Sequence, residues 1–364
     1  MYLAMGLVAI SSVTACKHER ARPIDPPAAA PSAASAELAT PRPELDLAHV
    51  RTVFAALPSR FDTPANPATP EKIALGRMLY FDRRLSKAQD LSCASCHDLK
   101  KGGADTERFS KGHNGKLGDR NAPTVFNAAG QIAQFWDGRA PTVEEQAKGP
   151  ILNPVEMAMP DPAYVMNVLH SIPGYVESFA QAFPKERDPI TYDNFGRAVG
   201  AFERGLVTPT RFDALLAGKD DALAAAEQDG LALFVSTGCT NCHAGPLVGG
   251  TMYMKLGVVE EYGNTKDQGR FDLTKQEADR MFFKVPSLRN VADTTPYFHD
   301  GSIPDLPTAV KEMARLQLGK QLTDTQVTSI VAFLKALSGK VIPAYIAEPS
   351  LPPSSPSTPK PDRT

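Results

Sequence analysis

The sequence lacks a surplus of either charge: 39 Lys and Arg against 41 Asp and Glu leave a formal net charge of −2. Phosphate recognition draws on clustered positive charge, so this balance speaks against nucleic acid as a partner. It also lacks any apolar run near the roughly 20 residues that span a bilayer, which excludes an ordinary transmembrane helix. Tryptophan occurs once, at Trp136, and cysteine only five times. Hydrophobic residues at 42% and charged residues at 22% are ordinary for a globular chain, and 364 residues suit two domains. Proline is the one excess, with 32 residues, thirteen of them within 22–43 and 341–364. The compact body is therefore expected at about 46–340.

Residues Met1 to Ala15 carry no charge and centre on Leu7-Val8-Ala9-Ile10, a run suited to the apolar part of a secretory signal. The run ends in Val13-Thr14-Ala15-Cys16, which resembles a bacterial lipoprotein cleavage box. That resemblance implies a signal peptide at 1–15, a lipid-modified Cys16 and a periplasmic location anchored to a membrane. Residues 16–45 are rich in Ala and Pro and read as an extended spacer. By the same compositional argument, residues 341–364 are expected to be a disordered Pro/Ser-rich tail.

The other four cysteines form two pairs, each followed by histidine: Cys93-Ala-Ser-Cys96-His97 and Cys239-Thr-Asn-Cys242-His243. This is the haem-attachment pattern C-x-x-C-H, present twice. Two thiols add to the two vinyl groups of one porphyrin, two intervening residues span the macrocycle edge, and the following imidazole reaches the iron. A Cys₄ zinc site would not require histidine directly after each pair. A redox dithiol would call for a βαβ setting that the sequence does not show. Two covalently bound c-type haems are expected, leaving no disulfide in the body.

The body reads as mainly α. Thr69-Pro70-Glu71 opens a helix, Thr142-x-x-Glu145 resembles a capping box, and Thr191 to Leu206 has apolar residues at helical spacing. Residues 222–236 form an Ala/Leu-rich helix running into the second haem motif. Thr323-x-x-Gln326 caps a last helix, stopped at Gly339. Stretches 98–140 and 244–300 read as long ordered loops, of the kind that supply ligands around haem. The motifs lie 146 residues apart, which suggests two cytochrome c-like domains with one haem each, 46–208 and 209–340. The final helix, 323–340, is expected to pack back on the first domain.

Longer segments narrow this further: LSCASCHD, GHNGKLGDRNAPTVFNA, QFWDGRAPTVEEQAKGPILNPVEM, GCTNCHAGPLVGG, KVPSLRNVADTTPYFHDGS and MARLQLG. Over about 58–340 the chain resembles the bacterial dihaem cytochrome c peroxidases. The resemblance implies a peroxidatic first haem with His97 proximal and His113 as a detachable distal ligand. Gln146 and Glu156 would form the peroxide pocket, with Glu156 as acid and base; from spacing alone Glu144 and Glu145 are rivals. His243 would be proximal at the second haem, and the resemblance selects Met313 as its distal ligand from Met252, Met254, Met281 and Met313. Trp136 would lie between the haems. A Ca²⁺ would be held by Asn121 and the backbone carbonyls of Thr294 and Pro296, and His299 is left unassigned.

The expected activity is reduction of H₂O₂ to water with electrons from a small periplasmic cytochrome c or cupredoxin. The resemblance also raises a homodimer, for which the sequence shows no interface. Two other readings stand beside it. One is a dihaem electron carrier without peroxidase chemistry. The other is an enzyme of the MauG branch that oxidises a protein partner, against which Met313 argues, because that branch uses Tyr.

Overall fold

The fold uses one device twice: a helix whose glycine lets a second helix cross it at backbone contact. The computed structural model describes residues 43–364, so the signal peptide, Cys16 and most of the 16–45 spacer lie outside the described residues. In chain order the helices are α1 (Leu47–Val53), α2 (Pro70–Phe81), α3 (Cys93–Cys96), α4 (Val143–Leu152), α5 (Pro162–His170), α6 (Pro173–Ala182), α7 (Tyr192–Glu203), α8 (Arg211–Leu216), α9 (Ala225–Thr237), α10 (Phe271–Thr274), α11 (Leu306–Leu318), α12 (Asp324–Ala336) and α13 (Pro343–Ile346). One antiparallel pair, β1 (Tyr253–Lys255) with β2 (Phe282–Lys284), is the only sheet among the described residues, Met254 pairing with Phe283. None of the described helices is long and apolar enough to cross a membrane.

In the first half, the Thr69 side chain accepts the Lys72 N–H and Pro70 fills the first turn of α2. Leu75, Leu79 and Tyr80 of α2 then bury against Phe195, Val199 and Phe202 of α7, with α4, α5 and α6 packed around them. A Cβ at Gly76 would sit 1.9 Å from the Ala198 carbonyl oxygen. In the second half, α9 crosses α12 in the same way: Leu231 and Phe234 meet Ile330, Phe333 and Leu334. Here a Cβ at Gly230 would sit 1.9 Å from the Ser329 carbonyl oxygen. The first core reaches Leu206 and the second resumes at Phe212.

Three sequence expectations are corrected. Helix α12 does not return to the first half, because its apolar face is already matched by α9. It also ends at Ala336; Gly339 serves instead to let the backbone of Thr208 approach, since a Cβ there would lie 2.4 Å from that carbonyl oxygen. Helix α1, expected within 46–208, belongs to the second core: Val50 and Phe54 are buried there, and the Phe54 ring meets Phe212 edge-on at 5.3 Å.

The third correction concerns 341–364, which lie in an ordered path across the first half. Val341 is buried in the first core, and Tyr345 stacks on Phe202 at 5.2 Å while its hydroxyl donates to the Phe202 carbonyl at 2.7 Å. Beyond α13, body side chains donate to tail carbonyls: Arg84 to Pro352 at 2.9 Å and Gln89 to Pro359 at 2.8 Å. A proline-rich strand suits this role. It has few N–H groups to satisfy, and its restricted backbone loses little entropy on docking.

Gly76→Ala and Gly230→Ala are each expected to lower stability by roughly 1–3 kcal/mol through forced separation of the crossing helices. Gly118→Ala, where the nearest atom to a Cβ is 3.9 Å away, should stay within about 0.5 kcal/mol of the parent. Denaturant unfolding of the three variants checks this.

Candidate active site

Each C-x-x-C-H motif faces its own cavity. Cys93, Cys96 and His97 line the first, together with Gln146 and Glu156; Cys239, Cys242 and His243 line the second, together with Met254 and Met313. Both motifs bend tightly at their cysteines, α3 at Cys93–Cys96 and a 3₁₀ turn at Cys239–Asn241, and His97 and His243 donate their backbone N–H groups to Cys93 and Cys239. Residues Asn121 to Thr124, Phe135 and Trp136 line both cavities and form the wall between them.

The two motif histidines are prepared alike. His97 Nδ1 lies 3.3 Å from the Gly103 carbonyl and His243 Nδ1 lies 3.2 Å from the Val248 carbonyl. A proton on Nδ1 leaves the Nε2 lone pair free for a metal. Burial lowers both pKa values, that of His243 to about 4, which keeps the rings neutral as ligation requires. The thiols are not paired in disulfides, and burial pushes Cys93 and Cys239 up to about 12 and Cys96 to about 11. Such thiols are not the low-pKa thiolates of a redox dithiol. Cys93 and Cys96 line one cavity and Cys239 and Cys242 the other, so the four thiols do not converge as a Cys₄ zinc site would require.

The linings suit haem. Among the described residues, Lys284 is the one Lys or Arg on the wall of the second cavity, and no Asp or Glu lines it. The Lys284 side chain is buried, and its ammonium donates to the Gln131 amide oxygen. Burial lowers its pKa to about 8. A buried cation with no anionic partner among the described residues fits a group that brings carboxylates, as haem does through its propionates. The rest of that wall is largely apolar, with Phe234, Leu288, Leu306 and Leu334 among its residues.

Glu156 is half-buried, and Asn153 Nδ2 donates to its Oε1 at 2.8 Å. Burial raises its pKa, partly offset by the charge of Arg139 and the Asn153 hydrogen bond. Arg139 also lines the first cavity, its guanidinium 3.5 Å from the Phe135 ring centroid. The two spacing rivals are otherwise engaged. Glu144 is buried in a bidentate pair with Arg204 at 2.7 and 2.9 Å, and Glu145 pairs with Lys148 at the surface.

His113 is buried but does not line either cavity. Its Nε2 lies 3.3 Å from the Thr364 main-chain oxygen, and its backbone N–H donates to the Val155 and Glu156 carbonyls. Of the four methionines considered, Met313 and Met254 line the second cavity; Met252 and Met281 do not. Trp136 Nε1 donates to the Asn121 carbonyl at 2.9 Å. Asn121, Thr294 and Pro296 share the wall of the second cavity, and the Asn121 amide donates to the Glu107 carbonyl at 2.9 Å, leaving Oδ1 uncommitted by that bond.

Sequence reasoning missed Lys284, Arg139, Asn153 and Glu203. The first three fall in the segments KVPSLRN, WDGRA and NPVEM, but their spacing carries no pattern that marks them. Glu203 closes α7 and lines the first cavity with 4% of its surface exposed. His299 is also buried, stacked on Phe283 at 4.2 Å, with its Nε2 4.0 Å from Asp267 Oδ2 and no hydrogen bond.

Comparison with known proteins agrees with this geometry. The family model described as di-haem cytochrome c peroxidase matches residues 70–221. The cytochrome c551 peroxidase of Pseudomonas aeruginosa is 44% identical over 331 residues, 89% of this chain and 95% of that protein. The cytochrome c551 peroxidase of Nitrosomonas europaea is 46% identical over 303 residues, 82% of this chain and 89% of that protein. A crystal structure of a MauG-like protein associated with microbial copper homeostasis superposes with a TM-score of 0.70 at 28% identity, covering 84% of this chain and 97% of that one. The chain belongs to the dihaem cytochrome c peroxidase family. Its two cavities answer to the two haems of that family, and within it the chain is an oxidoreductase with peroxidase function.

Burial, with the nearby charge of Glu144, pushes Glu203 up to about 8, against which Arg204 acts only in part. Its folded state therefore holds a proton that the unfolded state releases above about pH 4.5. Between these values the folded state binds more protons, so stability falls as pH rises, by up to about 1.4 kcal/mol per pH unit. Denaturation of the haem-loaded protein between about pH 5 and 8 should show this slope, and Glu203→Gln should flatten it.

Proposed function

We propose that the chain reduces H₂O₂ to water at the first cavity, in the periplasm, with electrons entering at the second from a small c-type cytochrome or cupredoxin. The observation that carries this reading is the presence of Glu156, Gln146 and His97 on one cavity wall, joined to the second cavity through Trp136. Thioether bonds from Cys93, Cys96, Cys239 and Cys242 would fix one haem in each cavity. Bound haem would supply the iron that accepts peroxide and would pass on the two electrons drawn from the external donor.

The reaction takes up two protons and two electrons for each H₂O₂ and yields two waters. Glu156 takes the proton from one peroxide oxygen and delivers it to the other, which leaves as water. A carboxyl raised by burial suits both transfers, because its two protonation states lie closer in free energy near neutral pH. Asn153 fixes the orientation of that carboxyl. Gln146 donates a hydrogen bond to peroxide and does not titrate. Met313 supplies a thioether to the second site, a ligand type that favours the reduced state and so suits electron entry. Asn121, Thr294 and Pro296 would offer neutral oxygens to Ca²⁺, which accepts such donors. Export and a lipid anchor at Cys16 complete the reading and rest on the sequence.

Glu156→Gln is expected to retain both haem spectra while peroxide turnover falls by roughly 100-fold or more. Steady-state assays with a reduced small cytochrome test this, and parental turnover in the variant would remove Glu156 from the mechanism. Met313→Leu should change the visible spectrum of the second haem and leave that of the first unaltered.

A further inference from the structure

Residues 362–364 of the ordered tail lie against the turn that carries His113. Lys87 Nζ donates to the Thr364 main-chain oxygen at 2.9 Å and lies 3.5 Å from Asp362 Oδ2. The Asp362 N–H donates to the Lys87 carbonyl at 2.9 Å. Asp362 Oδ1 in turn accepts the Thr364 N–H at 2.9 Å and its hydroxyl at 2.7 Å. Residues 362–364 are thus a folded turn gripped from both sides of Lys87. The Thr364 main-chain oxygen gripped by Lys87 is the one 3.3 Å from His113 Nε2, and Asn114 Nδ2 lies 3.2 Å from the same ring nitrogen.

The His113 turn is built to move at one end and stay fixed at the other. Gly115, at φ 72°, has open space around it, and Asn114 stands at φ 56°. Gly112 lines the first cavity, and a Cβ there would lie 1.9 Å from the Val155 carbonyl oxygen. The His113 N–H, at 2.8 Å from the Glu156 carbonyl, ties the turn to the segment bearing the acid–base residue. The ring therefore has a protein partner outside the cavity while its backbone stays beside the cavity.

We propose that residues 362–364, clamped by Lys87, are a dock that holds the His113 imidazole outside the first cavity, leaving the Glu156 and Gln146 wall open to peroxide. These are positioning residues that act through His113. The inference rests on the peroxidase reading only in taking the first cavity as the place His113 would otherwise occupy. The dock competes with entry of the ring into that cavity. One hydrogen bond of ordinary strength would bias that competition about fivefold.

The test uses the full haem-loaded chain in its half-reduced state. Visible and electron paramagnetic resonance spectra measure the ratio of low-spin, histidine-capped first haem to its high-spin form, and stopped flow measures cyanide binding. Deleting residues 362–364 should raise the low-spin to high-spin ratio roughly fivefold and slow cyanide binding in proportion. Lys87→Met, which leaves the tail in place, should shift both in the same direction by less, and it serves if the deletion fails to load haem. Adding His113→Gly to either variant should abolish the difference. An unchanged spin ratio and cyanide rate in both the deletion and Lys87→Met would overturn the dock. Failure of the peroxidase reading would look different: no peroxide turnover in any variant, while the spin ratio still reports on the dock.

Discussion

A short run of hydrogen bonds through Trp136 holds the two haem cavities in register. The His299 carbonyl, from the second half, accepts the Asn121 N–H at 2.8 Å; the Asn121 carbonyl accepts Trp136 Nε1 at 2.9 Å; and the Trp136 carbonyl accepts the Lys284 N–H at 2.8 Å, back in the second half. Arg120 clamps the same region, donating to Asp137 at 2.7 Å and to both oxygens of Asp267 at 2.6 and 2.9 Å. Burial opposes this charge, but the two carboxylates hold the Arg120 pKa above its ordinary value. A wall fixed at so many points sets the separation of the cavities, on which any electron path between them depends.

The halves repeat one another in physical design. Each has a glycine at its main helix crossing, a motif histidine whose Nδ1 faces a backbone carbonyl, and a buried arginine–carboxylate pair. Glu144 with Arg204 ties α4 to the end of α7 in the first half. Asp213 with Arg289 ties α8 to the loop after β2 in the second, with both contacts at 2.8 Å. Such pairs contribute less by attraction than by penalty: with either partner removed, the other is left charged and out of water. They therefore specify how the helices dock. The asymmetry lies in what lines the cavities, titratable side chains in the first and a largely apolar wall with one lysine in the second.

Much of this was legible before the structure. The haem motifs identify themselves by spacing, Thr69, Thr142 and Thr323 do cap helices where the pattern places them, and a helix does follow Thr191. Glu156 and Gln146 emerged through longer segments rather than from spacing, because a lone carboxylate carries no periodic signal. The order of the tail is not legible in composition, which reports how much a segment can bury, not which body side chains wait for its carbonyls. Arg84, Gln89 and Lys87 carry no mark in the sequence that they face residues 352–364. Proximity along the chain places residues 47–54 with the first domain, while Val50 and Phe54 pack on Phe212, more than 150 positions away. Lys284 escaped notice because a buried lysine reads in sequence like any surface one.

The crossing of the chain ends has a consequence for dissection. Helix α1 precedes the first half in sequence yet completes the second core, and Val341 with α13 follows the second half yet completes the first. Neither haem-bearing half is therefore a contiguous stretch of chain. A cut near 208 would give one fragment with an orphaned α1 and no Tyr345, and another with an uncovered Phe212. The two motif-bearing halves cannot be separated at the 208 boundary, so a complete first half presupposes a nearly complete chain.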